Sequence, residues 1–566
     1  MKKNSNRFNS LVKVGIGFLV LFLLNIGGAF YYFRFDLTSE KRHTLTPETV
    51  QLVQNLEDVV FVRVYLEGEF PADFKRLRNA VEERLAELRA YAGDNVQYEF
   101  INPSENPDRE ARENTWKRLV DRGLEPTEIT IQGKDALERK LIFPGAILSY
   151  QGKEAALQIL RSTDPVPSPQ LLNSSINNLE YNLVNAIKRL TQPNLKKIAI
   201  IKGHGELDPL AIEDFTAAAR ELYTVDTVRI DSQLNSLLGY DGIVIAKPQS
   251  AFSEKDKFII DQFLMKGGSI LWCLDGIQAS MDSLKGTNNS QTLGLATDLN
   301  LNDQLFSYGV RIENNLLIDR NCGPIALNVG KFGDQPNLQL FPWYFDPLIA
   351  GNTGHPVAHN INPVLTQFVS RVDTIGLPGI KKSILLQTSP FTRIMRAPVR
   401  INLGIVGINP NFNQNTVGPQ PVAVLLEGKF QSAFDNRISP QIASSKEINF
   451  KAQAIKPVKM IVVGDGDVIR NRVDRTKNIF YPLGYDQYQK KRLYGNREFL
   501  MNCLNYLLDD SGVIAVRSRE IKIRKLNAEI EATGKTRWQT INLIAPILIV
   551  SALGLAIYLI RRKRFV

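Results

Sequence analysis

The chain has 566 residues, with 69 Lys and Arg against 58 Asp and Glu, a net charge of +11 and a pI near 9.3. Its 44% hydrophobic and 22% charged content excludes wholesale disorder, and its length predicts roughly two to four domains. Three cysteines exclude a disulfide scaffold and a Cys-rich zinc module, and four histidines argue against a histidine-built metal cluster.

The chain opens with a tail, residues 1–13, that carries Lys2, Lys3, Arg7 and Lys13 and no acid. Residues 14–33 follow without a charge, long enough to cross a bilayer as a helix. Near the other end, residues 541–560 form a second uncharged span, and Arg561, Arg562, Lys563 and Arg564 lie in the closing tail, 561–566. Under the positive-inside rule both termini are cytoplasmic, and the mass between the spans is periplasmic. Lys522, Arg524, Lys525, Lys535 and Arg537 flank the second span on the outer side, but long translocated domains follow that rule poorly. A cleaved signal peptide, with Gly27 and Ala29 as small residues, is the competing reading of the first span. The apolar run to Phe33 favours an uncleaved anchor. Without the eight tail residues the chain holds 61 basic against 58 acidic side chains, about +3. The basic excess is thus mostly a topology signal, and with no basic patch interleaved with aromatics, nucleic acid is excluded as a partner.

Residues 36–165 predict a first α/β domain. Thr46 before Pro47 marks a helix start. Residues 59–66 predict a strand, and Phe74, Leu77, Val81, Leu85 and Leu88 form one helical stripe. Strand 96–101, a helix near Trp116, and strands 128–131, 141–150 and 155–160 complete the order. That order resembles a thioredoxin-like fold, with Phe143-Pro144 where such folds carry a cis-proline. The domain has no cysteine, so redox chemistry is excluded and a scaffold or binding module is expected.

Residues 175–282 and 456–515 predict a doubly wound parallel-sheet domain, with strands at 197–202, 225–230, 242–246, 269–274 and 458–464. Ser253, with Asp256 three residues on, has a capping-box pattern. Residues 283–455, rich in Asn, Gly and Pro, are expected to be an insertion of mixed structure, and 516–540 a juxtamembrane stalk.

Ligands of parallel sheets bind beyond the carboxyl ends of the strands. Gly203, His204, Gly205 and Glu206 follow one strand there, and Asp465 and Asp467 follow another. One reading is a ligand-binding edge, with the helix start after Asp208 attracting an anion. The other is tight turns that need glycine. His355 and His359 are four apart, but Pro356 argues against a shared helix face. Cys273 and Cys503 read as core, and Cys322 lies in the insertion. No P-loop, GxSxG elbow or GxGxxG occurs, so no catalytic residue, cofactor or metal is expected and the chain is no ATP-driven motor.

Several segments resemble the GldG family, gliding-motility-associated auxiliary and substrate-binding-like proteins of bacterial ABC transporters. They are DLTSEKRHTLTPET at 36–49, KGHGELDPLAIEDF at 202–215 and YDGIVIAKPQSAFSEKDKFIIDQFL at 240–264. VVGDGDVIRNR at 462–472, YGNREFLMNCLNYLLDD at 494–510 and VRSREIKIRKLN at 516–527 also match. The resemblance implies a non-catalytic subunit in the bacterial inner membrane, partnered by a multi-span ABC permease, a cytoplasmic ATPase and other envelope motility components. The α/β part also resembles the glutamine-amidotransferase-like fold. That family's catalysis needs a cysteine at a sharp turn, whereas Cys273 lies mid-strand. The alternative function is a membrane-anchored periplasmic enzyme or glycan-binding protein using the GHGE loop.

Overall fold

A computed structural model describes residues 12–13, 15–23, 44–132, 137–160, 169–192, 195–285, 291–352, 354–408, 410–412, 414–435, 437–438, 448–509, 512, 514, 517 and 528–564. The chain divides into two units, Met1–Asp36 with His43–Arg519, and Leu37–Arg42 with Glu520–Val566.

In the larger unit, Thr46 caps the helix Pro47–Gln54, its hydroxyl accepting from Thr49 N. Strands β1 (Val60–Val64) and β2 (Val96–Phe100) pair in parallel. β3 (Thr127–Gln132) and β4 (Leu137–Ile142) form a separate hairpin. β5 (Gly145–Tyr150) runs antiparallel to β1, and β6 (Lys153–Gln158) antiparallel to β5, giving the order β2-β1-β5-β6. The expected single strand 141–150 is therefore two strands in two sheets. Pro144 cannot donate to a ladder, and its carbonyl takes Ile159 N and Leu160 N at 2.9 and 3.1 Å. Phe143–Pro144 is not cis; the cis bond among the described residues is Ala397–Pro398.

The helix Ala72–Ala92 lays Leu77, Val81, Leu85 and Leu88 on Val60, Val62 and Val64, all fully buried. Burying each such side chain contributes about 1.5–3 kcal/mol. The helix Leu179–Thr191 sends Leu183 and Ile187 into this core but Tyr181 and Val184 into the next. Buried Glu180 accepts at Oε1 from Thr46 N, Thr46 Oγ1 and Thr49 Oγ1, at 2.8, 3.0 and 2.8 Å. The connecting helix is thus bonded into the first sheet's core.

The main sheet has seven strands. β7 (Lys197–Lys202), β8 (Thr224–Arg229), β9 (Gly242–Ala246), β10 (Ser269–Cys273) and β13 (Val458–Val463) are parallel. β11 (Ile380–Gln387) and β12 (Pro421–Gly428) extend the edge antiparallel, giving the order β11-β12-β13-β10-β9-β7-β8. Alternate residues of the central strands enter opposite cores. Ile200, Val244, Leu271 and Ile461 pack with Phe215 and Phe499, while Ile201, Ile245, Trp272 and Met460 pack with Ile260 and Phe263. Burial on both faces explains the unbroken apolar runs.

The segment expected to be an insertion, 283–455, supplies β11 and β12 to this sheet. A buried strand such as β13 needs partners on both sides, and β10 supplies one of them. Val422–Leu426 is wholly buried as that second neighbour. The same segment holds the long hairpin Cys322–Phe332 with Gln335–Ile349.

Of the first expected span, residues 15–23 are helical and exposed, while 14 and 24–33 lie outside the described residues. In the smaller unit one helix runs Ala528–Arg564, and its stretch Arg537–Ile560 is long and apolar enough to cross a membrane. Of the expected stalk, 516–540, residues 516 and 518–527 lie outside the described residues, as do 1–11 and 565–566 of the two basic tails.

Candidate functional site

The GHGE loop leaves β7 with Gly203 and Gly205 at φ +123° and +75°, the left-handed region where glycine is required. The turn drives His204 inward, to 5% exposure. Its ring stacks on Phe252 at 3.7 Å between centroids. Nδ1 lies 3.2 Å from Glu206 Oε1, and Nε2 lies 3.2 Å from Asp256 Oδ2. Burial alone would lower the His204 pKa, but bonds to the two carboxylates outweigh it and hold the ring above its ordinary range. Burial likewise pushes Glu206 and Asp256 up, and their hydrogen bonds overcome it and hold both carboxyls down. The result is an internal imidazolium clamped between two carboxylates. It ties the loop to the helix Glu254–Met265, which Ser253 caps by accepting Asp256 N.

The helix expected after Asp208 begins as a 3₁₀ turn, Pro209–Ile212, and Asp208 occupies its first amides by accepting Ala211 N at 2.9 Å. A carboxylate already fills that place, so the start cannot take a further anion.

Asp465 and Asp467 sit beyond β13, in a different cluster. Lys247, after β9 and at φ +54°, places Nζ 3.0 Å from Asp275 Oδ2 and pairs closely with Asp467. Burial opposes the ammonium, but Asp275 and Asp467 outweigh it and raise its pKa. Asp465 accepts Gln367 N and Asp467 N at 2.9 and 2.7 Å. Burial, reinforced by the charges of Asp467 and Asp275, pushes the Asp465 carboxyl well up. Burial raises Asp275 too, against the pull of Lys247. Among the described residues, no hydrogen bond or ion pair joins this cluster to His204 or Glu206. The six expected site residues therefore fall into two places.

Asp467 also borders a cleft of about 690 Å³ beyond the carboxyl ends of the strands. Its wall is formed by residues 470–475 and 481–488 with Tyr494, including the stacked pair Tyr481 and Tyr485, 4.7 Å between centroids. Asp346 and Gln367, from the segment expected to be an insertion, line it as well. Burial pushes the Asp346 carboxyl well above its ordinary range, against the hydrogen bond that Gln367 Nε2 donates to Oδ2 at 3.5 Å. This is where ligands of parallel sheets bind.

A family described as an ABC-type uncharacterized transport system matches residues 195–503, more than half of the chain. The chain belongs to this family. The match spans the main sheet, both clusters and the cleft. A domain of unknown function matches residues 39–149, over the first sheet. An uncharacterized protein of Borreliella burgdorferi is 20% identical over 446 residues, covering 77% of this chain and 80% of the relative. The solved mmIFT52 N-terminal domain is 13% identical at a TM-score of 0.30, covering 55% of this chain and 97% of that one. That likeness is too slight to bear on the fold.

In this transport-system chain, His355 and His359 lie outside any helix, in a turn. His355 is half-buried beside Tyr506, and burial lowers its pKa. Cys273 and Cys503 are fully buried, and burial raises both thiols. Among the described residues, no group of three or more His, Cys, Asp or Glu is placed to hold a metal ion. Sequence reasoning missed Lys247, Asp275, Asp346 and the cleft's wall. A signal existed for part of the wall, since Arg470, Arg472 and Arg475 follow closely on the turn after β13, although Asp282, Asp346, Asp467, Asp474 and Asp486 line the same cleft.

Proposed function

We propose that this chain is a non-catalytic, membrane-anchored auxiliary subunit of an ABC-type transport complex, with its folded mass periplasmic, and that the complex serves gliding motility. Family membership over residues 195–503 carries the transport part of this reading. An auxiliary of such a system works with a permease and an ATPase, which this chain does not itself supply. The inner membrane as location, and both termini in the cytoplasm, rest on the basic tails and on the apolar helix Arg537–Ile560. The strand order β2-β1-β5-β6 supports a thioredoxin-like reading of the first sheet, and helices over both faces support a doubly wound reading of the second.

The internal pairing of His204, Glu206, Lys247 and Asp275 supports the non-catalytic part, because a general base must reach its substrate. The same pairing disfavours an enzyme or glycan-binding protein built on the GHGE loop. Binding belongs instead to the cleft bordered by Asp467. Mild detergent extraction with identification of co-purifying chains tests the proposal. A permease and an ATPase are expected in the complex, and recovery of the chain alone would overturn it.

A further inference from the structure

We infer that the cleft beyond the carboxyl ends of the sheet binds a neutral saccharide, a sugar ring stacking on the Tyr481–Tyr485 pair and its hydroxyls bonding to the polar groups around it. This rests on reading the cleft as the binding site. Aromatic content is the first support. Four of the chain's 17 tyrosines line this one cleft. Two of them serve the fold. Tyr494 donates its hydroxyl to Asp486 Oδ2 at 2.8 Å, and the Tyr488 hydroxyl accepts Ala326 N at 2.9 Å. Tyr481 and Tyr485 are half-buried and, among the described residues, belong to none of the hydrophobic cores, although Leu483 between them is buried in the core of the main sheet. Their rings stack on each other, 4.7 Å apart and 22° from parallel. The backbone fixes both, since Tyr481 N donates to Arg472 O at 2.8 Å and Tyr485 N to Pro482 O at 3.0 Å. Rings already ordered lose little freedom when a ligand stacks on them.

The charges of the lining point the same way. Three arginines and five aspartates share the cleft, so an anion and a cation alike meet like charge there. Several of these charges are also spent within the fold. Asp467 holds Lys247 and Arg470, Arg475 donates to Asp208 Oδ2 at 2.6 Å, and Asp486 accepts Tyr488 N and Gln489 N at 2.8 and 2.7 Å. Carboxylates accept and guanidinium forks donate. Side by side they match hydroxyls, each of which does both. Exposed Asp282, Arg472 and Gln487 offer both kinds of group on the lining. A sugar ring adds an apolar C–H face, which the negative face of an aromatic ring attracts, and an open-chain polyol lacks that face. The cleft's volume, about 690 Å³, admits a saccharide of roughly two or three rings.

The test is calorimetric titration of the full chain, in a detergent without a sugar headgroup, with maltotriose and with tri-N-acetylchitotriose as separate probes. At least one binds, and its affinity is unchanged as salt rises, because no net charge is exchanged. In the wild-type chain the bound trisaccharide protects Tyr481 and Tyr485 from nitration by tetranitromethane, read by mass spectrometry. Tyr485→Leu keeps apolar bulk but removes the ring face, and weakens binding about tenfold. Tyr485→Phe keeps the face and stays within about threefold of wild type. Neither trisaccharide binding would overturn the inference, and so would binding that leaves the nitration of both tyrosines unchanged. Protection of the tyrosines by citrate, spermidine or a tetra-alanine peptide, where both trisaccharides fail, keeps the cleft as a binding site and overturns the saccharide. If no trisaccharide binds while permease and ATPase still co-purify, only the inference fails. If a trisaccharide binds but the chain purifies alone, only the subunit proposal fails.

Discussion

Replacing His204 with alanine tests the imidazolium clamp directly. The three side chains are 7%, 1% and 10% exposed for His204, Glu206 and Asp256, so solvent screens their charges little. Removing one partner of a buried ion pair costs about 3–5 kcal/mol. Here both acids keep other donors, since Glu206 still accepts His204 N at 2.8 Å, and Asp256 still accepts Ser232 N and Ser253 Oγ at 2.9 Å each. The low end, about 3 kcal/mol, is therefore expected. In a unit of this size that lowers the melting temperature by about 3 °C. The triple variant H204A/E206Q/D256N recovers about half of the loss, because no uncompensated charge remains.

The pH dependence has a definite sign. His204 is raised above its ordinary 6.5, so its contribution is full below that value and is lost as pH climbs through the raised one. Glu206 and Asp256 are depressed from 4.5 and 3.8, so theirs is full above those values and is lost as pH falls through the depressed ones. The difference between wild type and the triple variant is thus largest between about pH 4.5 and 6.5. Scanning calorimetry across pH reads both effects. A His204→Ala shift under about 1 °C, or a difference that keeps growing above neutral pH, would refute the clamp and restore His204 as a group free for chemistry.

Three further outcomes are expected. Lys247→Met leaves Asp275 buried beside Asp467 without its ammonium, lowering stability by about 3–5 kcal/mol in a denaturant melt, and adding Asp275→Asn recovers part of it. Gly464→Ala destabilises by about 1–3 kcal/mol, since its Cβ would lie 2.3 Å from the Ser370 carbonyl oxygen; an unchanged melt would mean the two backbones are not in that contact. In native protein, iodoacetamide followed by mass spectrometry modifies Cys322 slowly, its thiol pushed up to about 12 by burial, and leaves Cys273 and Cys503 untouched until the chain unfolds.

Much of the fold was legible because its central strands are buried on both faces. KIAIIK, GIVIA and SILWC read as parallel strands since no alternation with water is needed. Thr46-Pro47 and Ser253 stated their helix starts because capping is local chemistry between residues three apart. The break at Pro144 was legible in principle, as proline interrupts a ladder, but an apolar stretch on both sides concealed that two sheets meet there. Val422–Leu426 is an unbroken apolar run, yet its antiparallel seat beside β13 depends on a pairing across the interval to residue 458.

By itself the sequence determined the parallel strands of the main sheet and the capped helix starts, where the basic excess lies, and which residue types follow the carboxyl ends of those strands. These follow from propensity, periodicity and charge, all carried by near neighbours. Only the tertiary structure decided how those residues are used. His204 finds its second carboxylate at Asp256, 52 positions away, and Lys247 finds Asp467 at a distance of 220. Whether a polar side chain is paired and buried or open to a ligand depends on such distant partners. The expected edge of six residues therefore resolved into two internal ion clusters and one open cleft.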